Sequence, residues 1–425
     1  MKKATLIVSI LSLLYACHPE TSSIEFSRHT RVIDSLVHRK MFFTAREYVL
    51  THQAEFSAYD SLKSYAVLDH VFNRPKLAVE RIENVLAQYK PSLPDTVQLQ
   101  LLQFLQMNYG KLGQYKKAYE TTSAILDKYK SSLSYSDRVD YTNMNKIWLN
   151  LKDQVPPTIV TQGEVQIKMK RDKLGLQNLP ITNGKDDYDF IFDTGANLCT
   201  VTESVAKKWS LRMADSSIEV SSISGKKVKA KLAVCSRLYI DNITADNLVF
   251  LVFPDSALFV EQVPYQIKGI LGFPLFNALG EIQITSQDDF LVPPQYTQSD
   301  VRNMALDFLN PVLELDGDSY TFDTGADETI LYQPYYTKHK KRLEAKYNIQ
   351  NLLLTGVGGS EHKKGMVIHF ETSINKLNVQ VDSVQLFTEN VKAGGEYYFG
   401  NIGQDITSQY DTMILNFKNM FILFR

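Results

Sequence analysis

Histidine and cysteine are scarce where many enzyme chemistries would need them. The 425 residues hold 8 histidines, none of them between His70 and His339, and 3 cysteines, Cys17, Cys199 and Cys235. That gap leaves the centre of the chain without a Ser–His or Cys–His pair for nucleophilic catalysis. No H-E-x-x-H, C-x-x-C, G-x-S-x-G or G-x-x-x-x-G-K-[ST] string occurs, so the zinc, thiol-redox, nucleophile-elbow and P-loop chemistries that those strings carry have no support. His362 and His369 are 369 − 362 = 7 apart, so on one strand they face opposite ways and make a poor metal pair. No cofactor or metal is expected. A surplus of one charge sign is missing too: 46 basic residues stand against 47 acidic ones, a formal net charge of −1, and a nucleic-acid partner has no electrostatic basis. The apolar run from Ala4 to Leu14 is too short to span a bilayer as a helix.

That run follows Lys2 and Lys3 and ends in Leu14-Tyr15-Ala16-Cys17. The arrangement reads as a targeting segment. A leucine, a spacer, a small residue and a cysteine resemble the lipobox of bacterial lipoproteins. The resemblance implies a signal peptide over 1–17, lipidation of Cys17, and an extracytoplasmic chain held to an envelope membrane, periplasmic or surface-exposed. An ordinary signal peptide with an incidental cysteine is the competing reading. Export would permit a Cys199–Cys235 disulfide, but two cysteines define no framework, and two inert buried thiols are the preferred reading.

With 44% hydrophobic and 22% charged residues, the chain can bury large cores, and its length calls for more than one domain. From residue 18 to 155 the pattern is helical and poor in glycine. Ala78, Val79, Ile82, Val85 and Leu86 recur at helical spacing, and Pro91-Ser92-Leu93-Pro94-Asp95 interrupts the run with Asp95 as a helix N-cap. Tyr109, Gly113, Tyr115 and Ala118 resemble the tetratricopeptide repeat. Echoes at Ala45 and Ala78 lie 78 − 45 = 33 and 118 − 78 = 40 apart. A non-repeating helical bundle is the alternative. After Pro156-Pro157 the sequence becomes strand-like, at Thr158 to Val160, Val165 to Met169, Leu232 to Val234, Leu248 to Phe253 and Asn378 to Phe387. Hairpin signals stand at Asn183-Gly184 and Asp316-Gly317. A second break at Pro293-Pro294 divides this region into 156–296 and 297–425, so the fold class expected is helical first and all-β after.

The two β-rich parts repeat each other. Phe190-Ile191-Phe192-Asp193-Thr194-Gly195-Ala196-Asn197 returns as Tyr320-Thr321-Phe322-Asp323-Thr324-Gly325-Ala326-Asp327, an offset of 323 − 193 = 130. Gly269-Ile270-Leu271-Gly272 returns as Gly400-Asn401-Ile402-Gly403, with 400 − 269 = 131. Between them, Ser221 to Gly225 and Gly356-Val357-Gly358-Gly359 form turn-rich hairpin candidates at similar distances past each aspartate. A single D-T-G triplet arises by chance in roughly one chain in ten of this length, but a matched pair with matched flanks does not. The pattern resembles the retropepsin-like aspartic peptidases, the superfamily of retroviral proteases and, in duplicated form, the pepsins. It covers about Thr158 to Arg425 and none of the helical part.

That resemblance implies two β-barrel lobes meeting as an intramolecular pseudo-dimer, with Asp193 and Asp323 as the catalytic pair. Thr194 and Thr324 would brace the two loops. Gly195 and Gly325 would allow close approach, and Gly272 and Gly403 would let their strands pass beneath the loops. Gly225, Gly356, Gly358 and Gly359 would form the flaps. Pro274 suits the first turn of a following helix and Asp405 an N-cap, and for these two with Gly272 and Gly403 ordinary turn and cap chemistry is the alternative reading. The chemistry suits the residue type. Two carboxylates about 4 Å apart at an effective dielectric near 20 repel by about 4 kcal/mol. That is about three pKa units, enough to keep one protonated beside an ionised partner. Such a pair can take a proton from water and give one to a departing amide. Ala196 and Ala326 stand where pepsin-type motifs carry a hydroxyl that would stabilise the ionised carboxylate, so a less acidic optimum is expected.

Asn401 departs from the family pattern, which keeps that position apolar, and looser packing is expected there. The function expected is aspartic endopeptidase activity on a peptide or protein substrate, with a possible protein partner on the helical domain. The alternative is a catalytically inactive peptide-binding lipoprotein or an envelope scaffold that works through the helical repeats.

Overall fold

The computed structural model describes residues 27–221, 227–356, 359–391 and 396–425. The 1–17 segment, Cys17, Gly225 and Gly358 lie outside them. Helices come first: α1 (Arg28–His38), α2 (Phe42–His52), α3 (Ala58–Val71), α4 (Pro75–Tyr89), α5 (Asp95–Lys111), α6 (Tyr115–Lys128) and α7 (Tyr135–Leu151). Side-chain caps start several of them. Ser27 accepts from the N–H groups of His29 and Thr30, and Ser57 and Asp60 make a reciprocal capping box for α3. Pro75 opens α4, where a missing N–H costs nothing. Asp95 is not the cap of α5. Pro94, extended at φ −58 and ψ 150, takes the cap position, and Asp95 becomes the first helical residue.

The helices pack in consecutive pairs, α1 with α2, α3 with α4 and α5 with α6, with α7 against α6. Each pair turns on one left-handed residue: Lys40 at φ 60, Asn73 at φ 53 and Gly113 at φ 68. Ala45, Ala78 and Ala118, on the second helix of each pair, are fully buried. Val79, Ile82 and Val85 join them inside, while Leu86 is only partly buried.

The β-rich region begins at Thr158. Its first half holds β1 (Thr158–Thr161), β2 (Val165–Lys168), β3 (Lys170–Arg171), β4 (Gln177–Thr182), β5 (Asp187–Phe192) and β6 (Cys199–Thr202). Helix α8 (Glu203–Lys208) leads to β7 (Arg212–Ser221), β8 (Lys227–Ile240) and β9 (Ile243–Phe253). The short pair β10 (Phe259–Val260) and β11 (Tyr265–Gln266) precedes β12 (Gly269–Leu271), α9 (Phe273–Leu279), β13 (Glu281–Thr285) and β14 (Asp289–Val292).

The second half repeats the order. It runs β15 (Met304–Asp307), β16 (Asn310–Leu315), β17 (Asp318–Phe322), β18 (Ile330–Leu331) and α10 (Gln333–Glu344). Then come β19 (Gln350–Gly356), β20 (Gly359–Ile374), β21 (Leu377–Phe387), β22 (Gly400–Ile402), α11 (Gln404–Thr407), β23 (Thr412–Asn416) and β24 (Phe421–Phe424). The turn between β16 and β17 is Asp316-Gly317, with φ of 50 and 80, the left-handed pair of a two-residue hairpin.

Strand pairing is alike in the two halves. In the first, β12 runs parallel to β5 and antiparallel to β6, and β6 runs parallel to β9. In the second, β22 runs parallel to β17 and antiparallel to β18, and β18 runs parallel to β21. In the first half the path β9-β6-β12-β5-β4-β8 returns to β9. The second-half sheet, β15-β16-β17-β22-β18-β21-β20-β19, stays open. A further sheet, β2-β14-β13-β23-β24, takes three strands from the first half and two from the second, so the halves share hydrogen bonds beyond their joint.

The helices dock on both halves. Lys40 Nζ donates to Asp307 at 2.6 Å, and Asn73 Nδ2 donates to Asn277 Oδ1 at 2.7 Å and to the Phe417 carbonyl at 3.0 Å. Among the described residues no helix is long and apolar enough to cross a membrane.

Candidate active site

Asp193 and Asp323 follow directly on β5 and β17, whose last residues Phe192 and Phe322 are buried in the core. Each strand is flanked by a glycine-ended strand that holds its aspartate loop from below. The Asp193 N–H donates to the Leu271 carbonyl at 3.2 Å, and that of Asp323 to Ile402 at 3.0 Å. The Ala196 carbonyl accepts from Phe273 N at 2.9 Å, and the Ala326 carbonyl from Gln404 N at 2.9 Å. Gly272 and Gly403 lie against these loops so closely that a Cβ would stand 2.5 Å from the Ala196 carbonyl oxygen, or 2.7 Å from that of Glu328. Only glycine lets the strand pass there.

The loops are tied to each other by reciprocal bonds. Thr194 N donates to Thr324 Oγ1 at 3.0 Å, and Thr324 N donates to Thr194 Oγ1 at 3.0 Å. Each hydroxyl then donates onward to the backbone of the opposite half, Thr194 to Phe322 at 3.3 Å and Thr324 to Phe192 at 3.1 Å. Both threonines are buried. The backbone N–H and the hydroxyl of each threonine are thereby both used across the boundary, which ties the two halves together at this point.

The result brings the two carboxyls close enough for the charge of Asp323 to act on Asp193. Each also accepts from the glycine two residues on, Asp193 Oδ1 from Gly195 N at 2.7 Å and Asp323 Oδ1 from Gly325 N at 2.8 Å. A Cβ on Gly195 would stand 2.7 Å from Asp323 Oδ1, and one on Gly325 would stand 2.5 Å from Asp193 Cγ. Burial holds both carboxyls above their ordinary range. For Asp193 the neighbouring Asp323 charge adds to burial and holds it well above that range. For Asp323, hydrogen bonds from Asp193, Gly325 and Asn401 oppose the burial, so it is raised less.

Two hairpins extend from the same sheets. In the first half β7 and β8 pair out to Ser221 and Lys227. In the second, β19 and β20 pair out to Gly356 and Gly359. His362 and His369 both lie on β20, where His369 Nδ1 is 2.9 Å from Asp382 Oδ1. Among the described residues no group of three or more His, Cys, Asp or Glu side chains is placed to hold a metal ion.

Three features were not read from the sequence. Asp405 is not the cap of α11: Gly403 takes that position, and Asp405 Oδ1 accepts instead from Thr329 Oγ1 at 2.6 Å and Ile406 N at 2.9 Å. Cys199 and Thr329, 130 residues apart, play matching parts. The Cys199 sulfur accepts from Gly272 N at 3.4 Å, and the Thr329 hydroxyl from Gly403 N at 3.0 Å. Cys199 and Cys235 are free and buried, and burial pushes the Cys199 thiol up to about 12. Finally, Asn401 is hydrogen-bonded, with its Oδ1 accepting from Thr321 Oγ1 at 2.6 Å. The shared 130-residue offset was the signal available for Cys199.

In sequence, residues 180–275 match the aspartyl protease family, a span that includes Asp193 and Gly272 but covers less than a quarter of the chain. The match gives the chain an aspartic-protease-like region. Among curated proteins none matches. Solved structures that match in part include basic 7S globulin from soybean (9% identity, TM-score 0.40, covering 61% of this chain and 94% of that one). Conglutin gamma from lupine seeds is similar at 9% identity and TM-score 0.38, with the same coverage of 61% and 94%. A retropepsin-like aspartic protease from Rickettsia conorii is similar at 19% identity and TM-score 0.23, covering 31% of this chain and 98% of that one.

Proposed function

We propose that the chain is an aspartic endopeptidase that hydrolyses peptide bonds with a water activated between Asp193 and Asp323, one from each half. The observation that carries this reading is the reciprocal Thr194–Thr324 bonding, which holds two carboxyls close together between equivalent loops. One carboxylate removes a proton from water as the oxygen attacks the substrate carbonyl, while the other, protonated, supplies a proton to the substrate. Reaction then needs no metal or cofactor. The reading makes the halves, 156–296 and 297–425, two retropepsin-like lobes of an intramolecular pseudo-dimer. The matched strand pairing and the returning strand path of the first half support it. It makes 18–155 a tetratricopeptide-like domain, supported by the three helix pairs that turn on equivalent left-handed residues. The Leu14-to-Cys17 string supports lipid anchoring outside the cytoplasm.

The test is cleavage of a peptide library by a chain that begins at His18, with products read by mass spectrometry. Wild type should cut. Asp193→Asn and Asp323→Asn should each lose at least about a thousandfold in kcat/KM. An equimolar mixture of the two should stay inactive, because each chain carries its own pair. Full activity in either variant, or no cutting by wild type, overturns the reading, and the latter outcome favours peptide binding without catalysis.

A further inference from the structure

The two aspartates sit in loops with matching hydrogen bonds, yet one strand pair beside them differs in chemistry. In the first half β12 lays Ile270 opposite Ile191 of β5. In the second half β22 lays Asn401 opposite Thr321 of β17. The positions correspond, since 321 − 191 = 130 and 401 − 270 = 131. Both members of an apolar pair are therefore replaced together by polar residues, and on one side of the site only.

The replacement builds an oriented arm. Thr321 Oγ1 donates to Asn401 Oδ1 at 2.6 Å and lies 3.3 Å from the Gly400 carbonyl. With its oxygen engaged by Thr321, the Asn401 amide turns its N–H groups the other way, and Asp323, two residues after Thr321, shares that strand face; Asn401 lowers the Asp323 carboxyl against the effect of burial. Near Thr321 lies the buried Tyr332, whose phenol that threonine lowers slightly against the effect of burial. Tyr332 follows β18, and the equivalent first-half residue is Thr202, which caps α8 instead. Isoleucine at 270 can offer Asp193 no such donor.

We infer that Asn401 is a positioning residue for the pair: anchored by Thr321, it donates its amide to Asp323 and so makes Asp323 the ionised base and Asp193 the holder of the shared proton. This rests on the peptidase reading above. An amide donor stabilises a carboxylate over the acid, and a donor present on one side only breaks the symmetry that the Asp-Thr-Gly loops would otherwise impose. The titratable groups that face Asp323 are Asp193 across the boundary and Tyr332 in its own half, with Glu396 beyond the tyrosine. Burial holds the Tyr332 phenol far above its ordinary range, so it stays neutral and does not compete for the role.

The experiment compares wild type with Asn401→Ile and with the double variant Thr321→Ile plus Asn401→Ile, which copies the pair the first half already accommodates. Two readings are taken: the acid limb of kcat/KM against pH, and the carboxyl titration of protein labelled with 13C at aspartate. Loss of the donor should move the lower titration of the pair, and the acid limb with it, toward neutral by about one pH unit. Should both isoleucine variants fail to fold, Thr321→Val leaves Asn401 unanchored and should give a smaller shift of the same sign. Titrations within about 0.2 units of wild type in folded variants, or a shift toward acid, overturn the assignment. A wild type that cuts no peptide defeats the functional reading alone, because the carboxyl titration still decides what Asn401 does.

Discussion

At the scale of single residues, burial and charge act on Asp193 together, whereas at Asp323 hydrogen bonding by Asp193, Gly325, Asn401 and Gly195 opposes burial. A carboxyl held above its ordinary range binds its proton more tightly folded than unfolded. Between the two values the folded chain carries more protons, so stability falls as pH rises through that window. Asp193→Asn removes the titration and should stabilise the protein most where the carboxylate is costliest. Its Tm should exceed that of wild type by at least about 2 °C more at pH 7 than at pH 4, as checked by calorimetry. An equal or smaller gap at pH 7 would mean that Asp193 is not held protonated. Both aspartates were legible in the sequence because the same short string, Asp-Thr-Gly-Ala, stands there twice with matched flanks. Asn401 was legible only as an exception. Its partner Thr321 looks like any strand threonine, and nothing in a linear sequence announces that it faces Asn401 across a parallel strand pair.

At the scale of elements, the two hairpins beside the site are supported differently. Helix α7 lies against β7, the edge strand of its sheet. Asn143 Nδ2 donates to the Glu219 carbonyl at 2.8 Å, and its Oδ1 accepts from Glu219 N at 3.1 Å. Lys146 donates to the Ser217 carbonyl at 3.1 Å, and Asn150 to Ser216 Oγ at 2.7 Å. Side-chain amides thus satisfy a strand edge that would otherwise be open. The matching edge strand β19 has no strand on its outer side among the described residues. At about 1 kcal/mol per hydrogen bond, Asn143→Ala with Asn150→Ala removes about 2–3 kcal/mol of local protection from β7. Amide exchange across 216–221 should quicken at least tenfold or so while β19 is unchanged, as read by mass spectrometry. Unaltered exchange in β7 would show that apolar packing alone holds the hairpin. The helix periods, the hairpin turns and the strand-rich segments could all be read from sequence, because each depends on residues near in the chain. The α7–β7 contact could not, since Asn143 and Asn150 on a helix read as ordinary solvated polar residues. The caps of α5 and α11 went astray for a related reason: Pro94 and Gly403 hold the cap positions through backbone geometry, and their side chains give no sign of it.

At the scale of the whole molecule, the joint between the halves is not a free linker. Strand β13 of the first half pairs with β23 of the second over five residues, from Glu281 opposite Asn416 to Thr285 opposite Thr412. Arg171 crosses the same boundary, donating to Gln404 Oε1 at 2.9 Å while paired with Asp288. At the start of β13 the Glu281 carboxyl is fully buried. Its Oε2 accepts from Asn416 Nδ2 and from Thr297 N, both at 2.7 Å, and its Oε1 from Thr297 Oγ1 at 2.7 Å and Gln283 Nε2 at 2.9 Å. One side chain therefore gathers the first half, the joint and the second half. Sequence could place the break at Pro293-Pro294 but could not show that the chain just beyond it folds back on Glu281. A buried acceptor with four donors is costly to remove, since deletion strands those donors away from water. Glu281→Ala should lower stability to urea by about 3–5 kcal/mol. Glu281→Gln should fall in between, because its carbonyl still serves two donors while its NH2 group faces the others. The cost should appear although Glu281 belongs to neither aspartate loop, and the Thr194–Thr324 crosslink should weaken with it. A loss below about 1 kcal/mol in the alanine variant would show that the strand pairing alone unites the halves and that Glu281 is dispensable to it.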